Sequence, residues 1–195
     1  KMPAESVVEG IEQRFRGTRT GALATLLRAR VRFENKDFRG AAALLNNGDL
    51  KKLTDVADHG LWLRGLASQN AGDHAGALAA FEQLLKEFPA SLRADDARLR
   101  WAESAIASGR AAEVPAFLAE LVKKHNAEAL LLTAKAFDAS GNPAAATANY
   151  RKAFLYGAGN DIGKEAEAKL ISLGQSTAQQ FGKPVAAPTV FQRKE

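Results

Sequence analysis

Apolar residues recur along most of this chain at intervals of three and four, and no segment sustains a two-residue alternation. Leu78, Phe81, Leu84, Leu85 and Phe88 form the clearest run, the stripe that one face of an α-helix turns toward a core. The same spacing predicts a lead helix over about 4–15, ended by Gly17-Thr18-Arg19. Helix pairs are then expected at about 20–34 with 38–46, 55–70 with 74–87, 92–107 with 112–124, and 127–139 with 143–156. A last helix should cover about 161–173. Pro115 lacks an N–H and suits only a first helical turn, so the 112–124 element should start late or be distorted. Gly174, Gly182, Pro184 and Pro188, with few charges around them, read as an extended linker over 174–195. It leads into Phe191-Gln192-Arg193-Lys194-Glu195, which reads as a helix start cut short, so the sequence is expected to be a piece of a longer chain.

The breaks between these helices repeat. Gly72, Gly109 and Gly141 stand 37 and 32 residues apart, and Lys36-Asp37 occupies the same place 36 residues before Gly72. Asp37, Asp73 and Asn142 are good N-caps, and Pro143 suits the first helical position. Small-residue patches open the second helices: Ala41-Ala42-Ala43, Ala75-Gly76-Ala77 and Ala144-Ala145-Ala146. The best-formed copy runs from Leu61-Trp62-Leu63-Arg64-Gly65 to Phe88-Pro89. In it Gly65 and Ala77 are small where two helices cross, Gly72 turns the chain, Phe81 should fill the gap toward the next pair, and Pro89 stops the second helix. This spacing resembles the tetratricopeptide repeat, whose period is about 34 residues. The expected fold is all-α: a right-handed α–α superhelix, a tetratricopeptide-like solenoid of about five helix pairs over 1–173.

Composition narrows the function more than the fold. Hydrophobic residues make up 46% and charged residues 25%, ordinary for a globular domain. No run of about 18 apolar residues exists to span a membrane. Lys1-Met2-Pro3-Ala4-Glu5 is not followed by the apolar core of a signal peptide; if the parent is exported, its signal lies outside this sequence. With no cysteine, disulfides and thiolate metal sites are excluded. A net charge of +5 permits acidic partners such as nucleic acid, anionic lipid or an anionic wall polymer, and is equally an ordinary basic surface.

Catalytic chemistry finds little support. His59, His74 and His125 are scattered, with no metal-ligand spacing, so no metal or other cofactor is expected. Asp58-His59 and Asp73-His74 read as polar helix starts. Asp95-Asp96 and the Glu165/Glu167 pair lack the cleft that acid–base work requires. Gly157-Ala158-Gly159-Asn160-Asp161-Ile162-Gly163 follows no strand and reads as a loop between helices, not a dinucleotide loop. Arg14, Arg16, Arg19, Arg28 and Arg32, with Arg30 nearby, concentrate positive charge early in the chain. They are either a patch for an anionic ligand or partners of Glu12, Glu34 and neighbouring acids. Aromatic interleaving of the kind that binds single strands is missing, which argues against nucleic acid. Solenoids bind on their inner face, and the first helices offer Leu26, Arg30, Phe33, Trp62, Leu66, Gln69, Leu99, Glu103, Leu131, Lys135 and Asp138. Trp62 and Trp101 read more readily as core than as ligand platforms.

A narrower resemblance lies in longer phrases. Phe88-Pro89-Ala90-Ser91 followed by Ala94 and Ala97 looks like the FPxSxxAxxA junction of bacterial envelope helical-repeat proteins. Gly17 to Ala24, Asn35-Lys36-Asp37-Phe38-Arg39-Gly40-Ala41, and Tyr150-Arg151-Lys152-Ala153-Phe154 leading to Glu165–Leu170 add to it. In this order they resemble the superhelical N-terminal region of soluble lytic murein transglycosylases. Tyr156-Gly157-Ala158-Gly159-Asn160 departs from that family's aromatic-Pro-x-Ser junction. The family's catalytic Glu-Ser and Gly-Leu-Met-Gln phrases have no counterpart, so the resemblance implies the non-catalytic region alone. It implies a periplasmic or cell-envelope location and a role in peptidoglycan turnover through the parent protein. The other reading is a free-standing tetratricopeptide adaptor holding a protein or peptide partner in its groove.

Overall fold

The computed structural model describes residues 2–175, and every regular element among them is helical. The helices are α1 (Glu5–Arg14), α2 (Arg19–Glu34), α3 (Phe38–Leu44), α4 (Asp49–Leu53), α5 (Ala57–Asn70) and α6 (His74–Glu87). Next come α7 (Ala94–Ala107), a 3-10 turn (Ala111–Glu113), α8 (Val114–Phe117) and α9 (Ala119–Lys123). Finally α10 (Ala127–Ala139), α11 (Pro143–Tyr156) and α12 (Asp161–Ser172) complete the order. The all-α, tetratricopeptide-like fold expected from the sequence is the observed one. The linker expected over 174–195 lies, from residue 176 onward, outside the described residues.

One local device sets the helix boundaries. Lys36, Gly72, Gly109, Gly141 and Gly174 have φ of 64, 77, 81, 73 and 69°. At each, the next amide reaches back across the turn: Asp37 to the Arg32 carbonyl at 2.9 Å, Asp73 to Ser68 at 2.9 Å, Asn142 to Phe137 at 2.8 Å. This closes the helix by the left-handed C-terminal motif. The same aspartate or asparagine then caps the helix that follows. Asp37, Asp73 and Asn142 accept from the N–H of Gly40, Gly76 and Ala145 at 3.0, 2.9 and 3.1 Å. One residue thus ends one helix and starts the next, which keeps the connections short.

Two departures from the expected elements have local causes. The 112–124 helix is broken into the 3-10 turn, α8 and α9, because Arg110 supplies no side-chain cap and Pro115 is held at the start of α8. The five-residue α4 is new; it is too short to show periodicity and is started by Asn47, whose Oδ1 accepts the Asp49 N–H at 3.1 Å.

The described residues pack as two compact units, divided between Leu121 and Val122. In the first, Ala22, Ala29, Leu45, Leu50 and Leu63 form a buried cluster joined by Leu26, Phe33 and Val56. The α5–α6 pair packs through Phe81, which is fully buried. Its ring lies over Gly65 of its own pair, where a Cβ would come within 2.4 Å of the ring edge, and 5.7 Å from the Trp62 ring. This phenylalanine thus packs against Gly65 and Trp62 of its own pair. In the second unit Leu130, Leu131, Ala134, Ala146, Tyr150, Ala153, Ala166 and Leu170 make the core. Among the described residues no helix is long and apolar enough to cross a membrane.

Candidate functional site

The first-helix positions of the first unit divide into core and surface. Leu99 is buried and belongs to the packing, as does Trp101, whose ring stacks on Phe117 at 3.8 Å and whose indole N–H donates to Glu82 at 2.9 Å. Leu26 and Phe33 flank the core cluster, and Phe33 meets Phe38 edge-on at 5.2 Å. Arg30 pairs with Glu34 one turn on and lies 5.8 Å from the Phe33 ring.

What remains half-exposed is a strip on α5 and α7. Trp62 rests on Phe81, with the Arg93 guanidinium 5.6 Å from its ring. Leu66 follows one turn later, and Gln69 reaches across to α7, where its Nε2 donates to Glu103 at 3.0 Å. Trp62, Leu66 and Gln69 are spaced by four and three residues, so they share one face of α5. At the end of this strip the Ser91 hydroxyl donates to Asp58 at 2.6 Å, tying the α6–α7 junction to α5. His59 beside it is half-buried; burial, then the charge of Arg93, pushes its pKa below the ordinary value of about 6.5, so the ring is neutral near pH 7.

In the second unit Leu131 is buried in the core. Lys135 and Asp138 face α12, pairing with Glu165 at 2.6 Å and Lys169 at 2.8 Å. A cleft of about 460 Å³ lies here, with Tyr150 in its lining. Burial, then the nearby Asp138 and Glu165 charges, raises the Tyr150 phenol to about 12, so it stays protonated.

The arginines of the expected anionic patch do not act as one surface. Arg28 has 14% of its side chain exposed and sits among three carboxylates of α1: Glu5 at 3.0 Å, Glu9 at 2.8 Å and Glu12 at 3.1 Å. Arg32 bonds Glu5 at 2.6 Å and approaches Asp37 at 3.6 Å. Both are therefore taken up in fastening α1 to α2. Arg19 faces Asp55 at 3.4 Å, both widely exposed, which leaves Arg14 and Arg16 as exposed cations. The signal for this fastening was present in the spacing: Glu5, Glu9 and Glu12 share one face of α1, as Arg28 and Arg32 share one of α2. Two arginines that sequence reasoning did not single out, Arg39 and Arg64, line a separate cleft of about 440 Å³.

Among the described residues no group of three His, Cys, Asp or Glu side chains is placed to hold a metal ion. Residues 60–91, the α5–α6 pair with its junction, match a family model described as tetratricopeptide repeat. No curated protein matches the chain. The matched repeat and the helical fold together make this a tetratricopeptide-like domain, an architecture that serves as a protein-interaction scaffold and is in general non-catalytic.

Proposed function

We propose that this domain holds a protein or peptide partner against the strip of α5 and α7 formed by Trp62, Leu66, Gln69 and Glu103. The observation that carries this reading is Trp62 itself: a half-exposed indole, backed by Phe81 and flanked by an arginine, beside a polar pair that reaches across two first helices. Aromatic anchors with a polar rim are the usual energetic centre of a protein interface. A photo-crosslinking residue at Leu66 in the full chain should capture a discrete partner in cells. Trp62→Phe, which keeps an aromatic ring on Phe81, should reduce that capture without lowering the melting temperature. Equal capture from an exposed α12 position such as Ala168 would overturn the assignment.

A more specific reading follows from the phrases around Gly17, Phe88-Pro89-Ala90-Ser91 and Tyr150. In it the domain is the non-catalytic scaffold of a bacterial envelope protein, the superhelical region of a lytic murein transglycosylase in the periplasm, which orients a separate catalytic domain for peptidoglycan turnover. The Ser91–Asp58 bond favours it by giving the junction serine a mechanical task between repeats. The open reading frame beyond Glu195 should then encode a Glu-Ser followed by a Gly-Leu-Met-Gln phrase; a stop codon there would overturn this reading. Cosedimentation with purified murein should be lost as salt is raised, because a net charge of +5 is screened over a Debye length of about 10 Å at 0.1 M.

A further inference from the structure

The first unit carries a second cleft, between α3 and α6 and floored by α5. We infer that this cleft binds an extended segment of a protein partner through a glutamate or aspartate side chain, with Arg64 and Arg39 as its cations. The inference rests on the reading of the domain as an interaction scaffold and adds the chemistry of a partner segment. It concerns a different surface: Arg64 and Ser68 are offset by two residues from Trp62 and Leu66, a rotation of roughly 200° around α5.

Arg64 is half-buried, and its guanidinium is held only by neutral oxygens. Nη1 donates to Asn46 Oδ1 at 3.4 Å and Nη2 to Gln83 Oε1 at 2.9 Å. Among the described residues no carboxylate forms an ion pair with it. Glu87, the acid whose field it feels, is bound by Lys51 at 3.0 Å, and Gln83 stands between, donating to Glu87 at 3.3 Å. Arg39 lines the same cleft and has no ion pair among the described residues. The one acid in the lining, Asp73, is occupied in capping Gly76. A guanidinium has five N–H donors, so Arg64 keeps three beyond its two bonds, and a planar carboxylate accepts them in pairs. A partly desolvated cation without a counter-charge is a standing cost that an incoming carboxylate relieves. The remaining lining is Asn46, Ser68, Gly76 and four alanines, small side chains that leave the two guanidinium groups as the only cations of the lining. The volume, about 440 Å³, falls within the range of ligand clefts.

The test is an NMR titration of the full 195-residue chain, isotopically labelled, with the capped peptide Ac-Ala-Ala-Glu-Ala-Ala-NH2 and its glutamine counterpart. The glutamate peptide should shift the Arg64 Nε–H and the Ala43 and Ala79 amides saturably and leave the Trp62 indole N–H in place. The glutamine peptide should bind about tenfold more weakly, as should the glutamate peptide to Arg64→Gln, the loss expected for one charge-assisted contact. Should Arg64→Gln lower the melting temperature, Arg39→Gln, on an exposed side chain, carries the same comparison. Equal binding of the two peptides, or displacement by inorganic phosphate at equal affinity, would overturn the inference. Shifts centred on Trp62 instead would overturn it while leaving the scaffold reading intact.

Discussion

At the scale of single residues, Gly65 and Lys36 show how the same repeat can be tightly or loosely specified. Gly65 exists because Phe81 is there: a methyl group at this position would enter the ring at 2.4 to 2.8 Å, and the ring is fully buried. Helix propensity alone would reward Gly65→Ala by about 1 kcal/mol. Overpacking a core costs about 1–3 kcal/mol, so the substitution should destabilise by up to about 2 kcal/mol net. A lower urea midpoint at unchanged m-value is the expected result. Lys36 is the reverse case. It sits at φ 64°, where Gly72, Gly109 and Gly141 occupy the corresponding turns, and it carries a left-handed penalty that glycine does not. Lys36→Gly should raise stability by about 1 kcal/mol, and a lowered melting temperature would show that the lysine has a compensating contact.

At the scale of elements, α1 is attached by electrostatics as much as by its buried Val8. Glu5 accepts from Arg32 and from Arg28, and these bonds, the first being the larger influence, hold its carboxyl below the usual range. A depressed folded pKa contributes stability above the ordinary Glu value of about 4.3 and loses it as pH falls through the lower folded value. Glu5→Gln should therefore be less stable than the natural chain at pH 7, by up to about 1 kcal/mol for a semi-exposed network. The gap should narrow by pH 3, as read from urea midpoints at the two pH values. This fastening also marks how far the sequence is legible. Helices ended by glycine and begun by aspartate or asparagine can be placed within a few residues, because φ and the capping bond are local matters. Tertiary partners are not local. Arg28 and Arg32 read as a binding patch or as ion pairs until α1 is docked. Leu99 and Leu131 look like groove residues because the 3.6-residue period places a stripe without saying which neighbour covers it. Arg64 does not stand out in the sequence because its distinction is that no carboxylate among the described residues pairs with it, which only three dimensions reveal.

At the scale of the whole molecule, helical repeats distribute stability among near neighbours, so each unit should report its own damage. The second unit is closed around Leu130, which is fully buried among Ala134, Ala146, Tyr150 and Leu170. Leu130→Ala should cost about 2–5 kcal/mol within it, since the surrounding α10, α11 and α12 cannot wholly collapse onto the space left behind. Native-state hydrogen exchange resolves where that loss appears. If the two units unfold separately, amides of α10 and α11 should lose protection by the full amount while those of α5 and α6 change by less than about 0.5 kcal/mol, the tolerance for independent sites. An equal fall in α5 and α6 would mean that the chain opens as one cooperative body. The strip at Trp62 and the cleft at Arg64 both belong to the first unit. Independent unfolding would leave partner binding at either surface untouched by Leu130→Ala, so the exchange result and a binding measurement on the same variant constrain each other.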